Sequence, residues 1–170
     1  TLALYASAFV PMIINSENAE KRMEGEPAGS DQHRVMRIAT VITHGVIMPL
    51  TLMYSIFLPI QLGTWWLFAG VPLYLIGLFM VLTSSISFAF APVGEPLSKG
   101  VYAISRHPIY FGFFLAYTGI GICCASVLFL LFAIVWIMSW HFAVAEEERI
   151  MIQKYGEAYE RYLEQTPRWI

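Results

Sequence analysis

Charged residues are scarce in this chain, at 13% of its 170 residues, whereas a soluble domain usually carries about 25%. Cysteine is scarcer still, because only the neighbours Cys123 and Cys124 are present. Two adjacent thiols are too few for a disulfide framework or a zinc site, and we interpret them as buried packing residues. Hydrophobic residues make up 58% of the chain. The composition therefore predicts a bilayer-embedded protein without a metal site or a nucleic-acid partner.

Long apolar stretches are the most prominent feature that is present. A membrane-spanning helix needs about 20 mainly apolar residues. The apolar stretches cover residues 2–14, 38–60, 64–90 and 109–145. The first is shorter than a span should be, and we interpret it as part of a first transmembrane helix.

The last of these stretches is too long to cross a bilayer once, since at 1.5 Å per residue it would reach roughly 55 Å. The small residues from Gly119 to Ser126 predict that the chain folds back there. The expected arms are residues 108–122 and 126–145. The sequence thus predicts an all-α, multi-pass bundle of about five spans, the last two forming a tight hairpin.

The distribution of basic residues predicts the orientation. All ten lie in three segments that five spans would place on one side of the membrane, which the positive-inside rule assigns to the cytoplasm; they are Lys21, Arg22, Arg34, Arg37, Lys99, Arg106, Arg149, Lys154, Arg161 and Arg168. After Glu148 the pattern becomes that of a cytoplasmic amphipathic helix, which Gly156 weakens. We expect an N-terminal part, residues 1–86 with a cytoplasmic loop at 15–37, and a functional module at 87–170.

Residues 100–110 concentrate polar groups at the start of a hydrophobic helix. Pro108 suits the first helical position, and a helix start favours an anionic group. Arg106 beside it could grip a carboxylate with two parallel hydrogen bonds. Tyr102 and Tyr110 offer ring faces on which a flat base could stack. The segment is therefore a candidate site for an anionic, aromatic ligand.

Glu147 and Glu148 lie at the other end of the predicted hairpin, which brings both ends to one surface. Their oxygens could accept hydrogen bonds from sugar hydroxyls or an amine. A ligand with a carboxylate, an amine, a positive centre, a ribose and an adenine suits this mixture. S-adenosylmethionine has all five, although composition does not separate it from other nucleotides.

The motifs of the second half resemble those of the integral-membrane methyltransferases, and of their isoprenylcysteine carboxyl methyltransferase branch in particular. That branch shares its C-terminal module with phospholipid methyltransferases. The resemblance covers about residues 87–168. It is carried by Gly100-Val-Tyr102, Arg106-His-Pro-Ile-Tyr110, Glu147-Glu148, Tyr155-Gly156, Tyr159, Tyr162 and Thr166-Pro-Arg168.

The resemblance implies S-adenosylmethionine as cofactor and assigns residues to its pocket. These are Tyr102, His107, Pro108, Ile109, Tyr110 and Glu147, with a second contact segment at Gly94, Glu95, Pro96 and Leu97. The chain departs from the family twice. That second segment lacks a polar His-Asn-like pair, and Ala143 stands where isoprenylcysteine methyltransferases commonly place an arginine that is thought to meet the substrate.

The expected function is transfer of the sulfonium methyl to a lipophilic acceptor that enters sideways at the membrane interface. It is most like carboxyl O-methylation of isoprenylcysteine. Ala143 favours the alternatives, a phospholipid N-methyltransferase or a small-thiol S-methyltransferase, and the non-enzymatic alternative is a structural membrane protein. Arg106 is a predicted catalytic residue, and His141 is the candidate base for an amine acceptor. His44, inside a predicted span, favours an interhelical hydrogen bond over a pocket.

Overall fold

The computed structural model describes residues 1–18, 38, 41–60 and 62–170, and these form helices without any strand. The all-α prediction is confirmed for this part of the chain. The helices are α1 (Leu2–Ile14), α2 (Val41–Ser55), α3 (Trp65–Phe90), α4 (Pro108–Cys123), α5 (Val127–Tyr155) and α6 (Glu157–Gln165), with a short 3₁₀ helix (Gly100–Ala103) before α4.

Only α3 and α5, among the described residues, are long and apolar enough to cross a membrane. Helices α1, α2 and α4 are apolar but shorter. Within α2, residues Val41–Ile47 are wound as a π-helix before the α-helical part. Most of the predicted loop, residues 19–37 with its four basic side chains, lies outside the described residues. The five-span arrangement and its orientation therefore stay predictions.

The predicted fold-back between α4 and α5 is present. Helix α4 ends at Cys123, and Ala125 takes a positive φ of 49°. Ser126 then caps α5, because its hydroxyl accepts a hydrogen bond from the backbone N–H of Phe129 at 3.3 Å. Serine is a favoured residue at this position, since its side chain satisfies an amide that the helix leaves unpaired.

The predicted change of helix after Glu148 is wrong in position. Helix α5 continues through the three glutamates to Tyr155, because no proline or glycine interrupts residues 146–155. The break comes at Gly156, whose φ of 55° an L side chain rarely adopts. The amphipathic segment is therefore divided between the end of α5 and the separate helix α6.

Helices α3 and α4 approach each other unusually closely through glycines, as the small residues of α4 predict. A Cβ atom added to Gly77 would lie 2.5 Å from the backbone nitrogen of Ala116 and from the carbonyl oxygen of Gly112. One added to Gly119 would lie 2.5 Å from the backbone nitrogen of Tyr74. The backbones thus touch directly, which places the start of α4 firmly against α3.

The C-terminal tail returns to the segment that precedes α4. The backbone N–H of Arg106 donates to the carbonyl of Pro167 at 3.0 Å, and the Ser105 hydroxyl donates to the carbonyl of Arg168 at 3.2 Å. The Tyr162 hydroxyl donates to the carbonyl of Tyr102 at 2.6 Å. These contacts close the module around the predicted polar site.

Candidate cofactor site

A polar cavity lies between the start of α4, the end of α5 and α6. It has a volume of about 90 Å³. The structure brings Arg106 and Glu147 to this one cavity, although they are far apart in sequence. The lining residues of this polar cavity are Phe88, Pro96, Leu97, Tyr102, Arg106, His107, Glu147, Met151, Tyr155, Tyr159 and Tyr162.

Glu148 is the centre of a buried ionic cluster beside the polar cavity. Its carboxylate lies 3.3 Å from a guanidinium nitrogen of Arg106 and 2.6 Å from one of Arg168. His107 Nε2 lies 3.2 Å from the same carboxylate. The residue is only 7% exposed, so an unpaired charge there would be costly. Glu148 therefore holds Arg106 and His107 in place instead of lining the cavity itself.

Hydrogen bonding sets the charge state of Glu148, which lies beyond the apolar part of α5 that ends at Ala145. Burial acts to raise the pKa of this carboxyl group. Hydrogen bonds from His107 and Arg168, together with the charge of Arg106, outweigh burial and lower the pKa from 4.5 to about 2. The cluster therefore keeps a carboxylate ionised in a site that is nearly closed to water.

Glu147 shares His107 with Glu148 but has its own hydrogen-bond partner, Tyr110. Its Oε2 accepts a hydrogen bond from the Tyr110 hydroxyl at 3.1 Å and lies 3.7 Å from His107 Nδ1. The Tyr110 ring is stacked on Trp140, with centroids 3.9 Å apart. Because consecutive helical residues point in different directions, the paired glutamates have separate tasks. Glu147 alone presents its oxygens to the cavity.

A larger apolar cavity of about 270 Å³ adjoins the polar one. The two share Phe88, Tyr102 and Glu147. The remaining lining residues of this apolar cavity are Ala8, Phe9, Met12, His44, Met48, Ile109, Tyr110, Phe113, Trp136 and Trp140. One carboxylate, that of Glu147, thus stands where a polar and an apolar cavity meet.

Some of the other predicted site residues line a cavity, and others do not. Pro96 and Leu97 line the polar cavity and also a neighbouring recess of about 290 Å³, which Glu95 lines too. Gly94 is exposed and lines none of these cavities. Pro108 is fully buried at the first position of α4. The predicted contact loop therefore reaches the site through its second half.

His141, the candidate base, lies away from both cavities. It is exposed on α5, and its ring centroid is 6.4 Å from that of Trp169. His44, by contrast, lines the apolar cavity. Its place in a cavity wall agrees with the alternative of a pocket, and the interhelical hydrogen bond that the sequence favours stays a prediction.

Tyr155, Tyr159 and Tyr162 belong to the motifs that carry the family resemblance, and all three line the polar cavity. Burial is the main cause that raises the pKa of Tyr159 and of Tyr162. Both phenols therefore stay neutral and can donate hydrogen bonds at neutral pH. Their three- and four-residue spacing indicated one helical face but not what that face would meet.

Acid should weaken the fold through Glu148. Its pKa is lower in the folded chain than the ordinary 4.5, so its stabilising contribution is complete above pH 4.5 and is lost as pH falls toward about 2. We expect the unfolding temperature of the detergent-solubilised protein to drop over that range. The Glu148→Gln variant should lack this drop. Parallel profiles for the two proteins would contradict the role given to this carboxylate.

Comparison with known proteins places this chain in a family. A family model described as phospholipid methyltransferase matches residues 65–158, which is more than half of the chain. No curated protein matches the chain. The matched region contains the start of α4 and both glutamates, and with the apolar helices α3 and α5 it supports a membrane methyltransferase. The chain therefore belongs to the phospholipid methyltransferase family.

Proposed function

We propose that this protein transfers a methyl group from S-adenosylmethionine to the amine of a lipid at the membrane interface. The observation that carries the proposal is the position of Glu147, where the polar and apolar cavities meet. A small polar cofactor and a lipophilic acceptor would each have a cavity of matching character, with the reacting atoms between them.

The residues of the polar cavity fit the cofactor's chemistry. Arg106 Nε is buried and has no hydrogen-bond partner in the part of the chain that the structure describes, and a buried donor of this kind is usually satisfied. A carboxylate of the ligand would satisfy it and would add a charge-assisted bond. Glu147 offers oxygens to an amine or a ribose hydroxyl, and Tyr102 and Tyr159 offer ring faces. When bound, S-adenosylmethionine would supply the methyl group: the lone pair of a neutral amine forms the N–C bond as the C–S bond breaks, which leaves S-adenosylhomocysteine and moves the positive charge to the methylated nitrogen.

The chain's own residues contribute orientation and exclusion of water. The Glu148 cluster fixes Arg106 and His107, and the Tyr110 hydroxyl fixes Glu147. An amine held at the Glu147 carboxylate would donate a hydrogen bond to it, which keeps the nitrogen at the junction of the cavities. Burial of the surrounding rings limits the access of competing water.

The Glu147 carboxylate in the wall of the apolar cavity favours an amine as the acceptor. The sequence resemblance implies the isoprenylcysteine carboxylate instead. In the described part of the chain, the lining of this cavity contains one carboxylate and neither lysine nor arginine. Ala143, at the position where the arginine was expected, is fully buried. A second carboxylate beside Glu147 would be repelled in this poorly solvated place. Carboxyl methylation therefore ranks second, with thiol methylation as a further alternative.

Calorimetric titration of the purified protein with S-adenosylmethionine and S-adenosylhomocysteine tests the cofactor. We expect both to bind and the Glu147→Gln variant to bind about tenfold more weakly, because a hydrogen bond to a charged group is lost. Glu164→Gln, the same change on the exposed side of α6, should bind like the wild type. Absence of binding by the folded wild-type protein would end the proposal.

The acceptor class is tested with methyl-labelled cofactor in nanodiscs. Phosphatidylethanolamine, S-farnesylcysteine and a long-chain thiol would be offered separately. We expect label in the amine lipid above the other two. Preferential labelling of S-farnesylcysteine would contradict amine methylation and identify the protein as a carboxyl methyltransferase.

A further inference from the structure

The apolar cavity is completed by helices outside the family-matched region. The match begins at residue 65, yet α1 contributes Ala8, Phe9 and Met12, and α2 contributes His44 and Met48. The described residues that line the polar cavity, in contrast, all come from Phe88 onward. The ligand selectivity of the apolar cavity therefore depends on α1 and α2 as well as on the family-matched region.

Trp140 carries an unsatisfied hydrogen-bond donor in this cavity. The residue lines the cavity and is only 4% exposed, and its Nε1–H has no hydrogen-bond partner among the described residues. Leaving a buried N–H unpaired is costly, so such a group calls for an explanation. An oxygen acceptor supplied by a ligand would satisfy it.

His44 adds a second polar group to the same wall. Its ring centroid lies 6.2 Å from that of Trp140 and 6.1 Å from that of Trp136. The Thr43 hydroxyl lies 3.1 Å from His44 Nδ1 and orients the ring. His44 belongs to the π-helical segment of α2, and π-helical turns are frequent at functional sites.

The aromatic rings between these groups and Glu147 suit a cation. Tyr110 and Trp140 are stacked with planes 10° apart, and Trp136 lies next to Trp140 at 6.2 Å. Ring faces attract ammonium groups, as the Glu147 carboxylate does. The cavity thus combines a place for an amine with one buried donor, Trp140 Nε1–H, that lacks an acceptor among the described residues, and with an imidazole beside it.

We propose that the apolar cavity is the acceptor head-group site, and that it selects a lipid amine with an oxygen acceptor close to the nitrogen. Glu147 and the stacked rings receive the amine, while Trp140 Nε1–H and the His44 imidazole receive the oxygen. This inference rests on the proposed function and deepens it, because it states which amines are taken. The oxygen can be the hydroxyl of an amino-alcohol lipid or a phosphodiester oxygen.

Three single-chain ligands of matched length separate these features. They are 1-amino-2-hexadecanol, hexadecylamine and palmitoyl lysophosphatidylethanolamine, with palmitate as the carboxylate control. Binding is measured in detergent by calorimetry with S-adenosylhomocysteine present. We expect at least one of the two oxygen-bearing amines to bind about tenfold more tightly than hexadecylamine, and palmitate to bind most weakly. Which of the two prevails identifies the source of the oxygen.

Two variants test whether Trp140 and His44 cause the preference for oxygen-bearing amines. Trp140→Phe and His44→Phe keep a ring but remove hydrogen-bonding groups, and each should reduce the tenfold preference to about twofold or less. Affinity for S-adenosylhomocysteine should stay within about twofold of the wild type in both variants, and affinity for hexadecylamine should do so in His44→Phe. Val46→Phe, an exposed position on the same π-helical segment, should keep the full preference.

The inference is overturned if hexadecylamine binds as tightly as both oxygen-bearing amines, or if both variants keep the preference. Should a variant fail to bind S-adenosylhomocysteine because it misfolds, His44→Gln and Met48→Trp replace it. The first retains a hydrogen-bonding group and should keep the preference, and the second fills the cavity and should abolish lipid binding alone. Lipid selectivity without any cofactor binding by the wild type would refute the proposed function and leave the head-group site standing.

Discussion

Replacement of Glu148 by alanine is expected to lower the free energy of unfolding by about 3–5 kcal/mol, the cost of removing one partner from a buried ion pair. The change leaves Arg106 and His107 in a nearly closed site without the carboxylate that both contact. Arg168 would lose its contact too. Because Arg106 lines the polar cavity, cofactor affinity should fall with stability. Denaturation in a titration with sodium dodecyl sulfate and calorimetry with S-adenosylhomocysteine measure the two effects.

Glu146 provides the matched control for this substitution. It pairs with Arg149 at 3.2 Å, and the Arg149 side chain is 60% exposed. Exposed ion pairs contribute about 0–1 kcal/mol, so Glu146→Ala should change stability by no more than that and leave cofactor binding unchanged. If the two variants lose equal amounts of stability, the buried ionic cluster around Glu148 contributes no more than an exposed ion pair.

Substitution of Gly77 by alanine is expected to cost about 3 kcal/mol, at the upper end for overpacking. The added methyl group would lie 2.5 Å from two backbone atoms of α4. Backbone atoms cannot rotate away as a side chain can, so the two helices must separate. The same denaturation measures the loss, and a weaker cofactor affinity should accompany it because α4 begins at the polar cavity.

Gly45 is the comparison for Gly77. A Cβ atom at Gly45 would have its nearest neighbour 3.9 Å away, which is ordinary contact. Gly45→Ala should therefore change stability by at most about 1 kcal/mol, the helix-propensity difference between the two residues. A loss at Gly77 no larger than at Gly45 would mean that the helices can adjust their separation at little cost.

Local features of the fold could be read from single residues. Pro108 marks the start of α4, because its missing N–H is not needed there. Ser126 marks the start of α5 for the opposite reason, since it supplies an acceptor. Gly156 ends α5 through its left-handed backbone conformation. The misplaced boundary after Glu148 shows the limit of this approach, because a change from apolar to polar side chains does not by itself end a helix.

The candidate site also has features that the sequence predicts and features that only the tertiary structure shows. Arg106, His107 and Glu147 were predicted for one pocket, and the structure places them around one cavity. Glu147 and Glu148 were given one task, yet only the tertiary structure shows that Glu148 holds cations while Glu147 faces the ligand space. The contribution of Tyr155, Tyr159 and Tyr162 depends on how α6 docks against residues some sixty positions earlier, as the Tyr162–Tyr102 hydrogen bond shows.

The amino-acid sequence by itself determined the helical class, the apolar stretches, the fold-back at Ser126 and the residue types of the polar site. These follow from hydrophobic periodicity and from backbone preferences that act over a few residues. The tertiary structure alone decided that α1 and α2 complete an apolar cavity at Glu147, and that His44 and Trp140 meet in its wall. The physical reason is that packing between distant segments depends on helix separation and rotation, which no local pattern encodes.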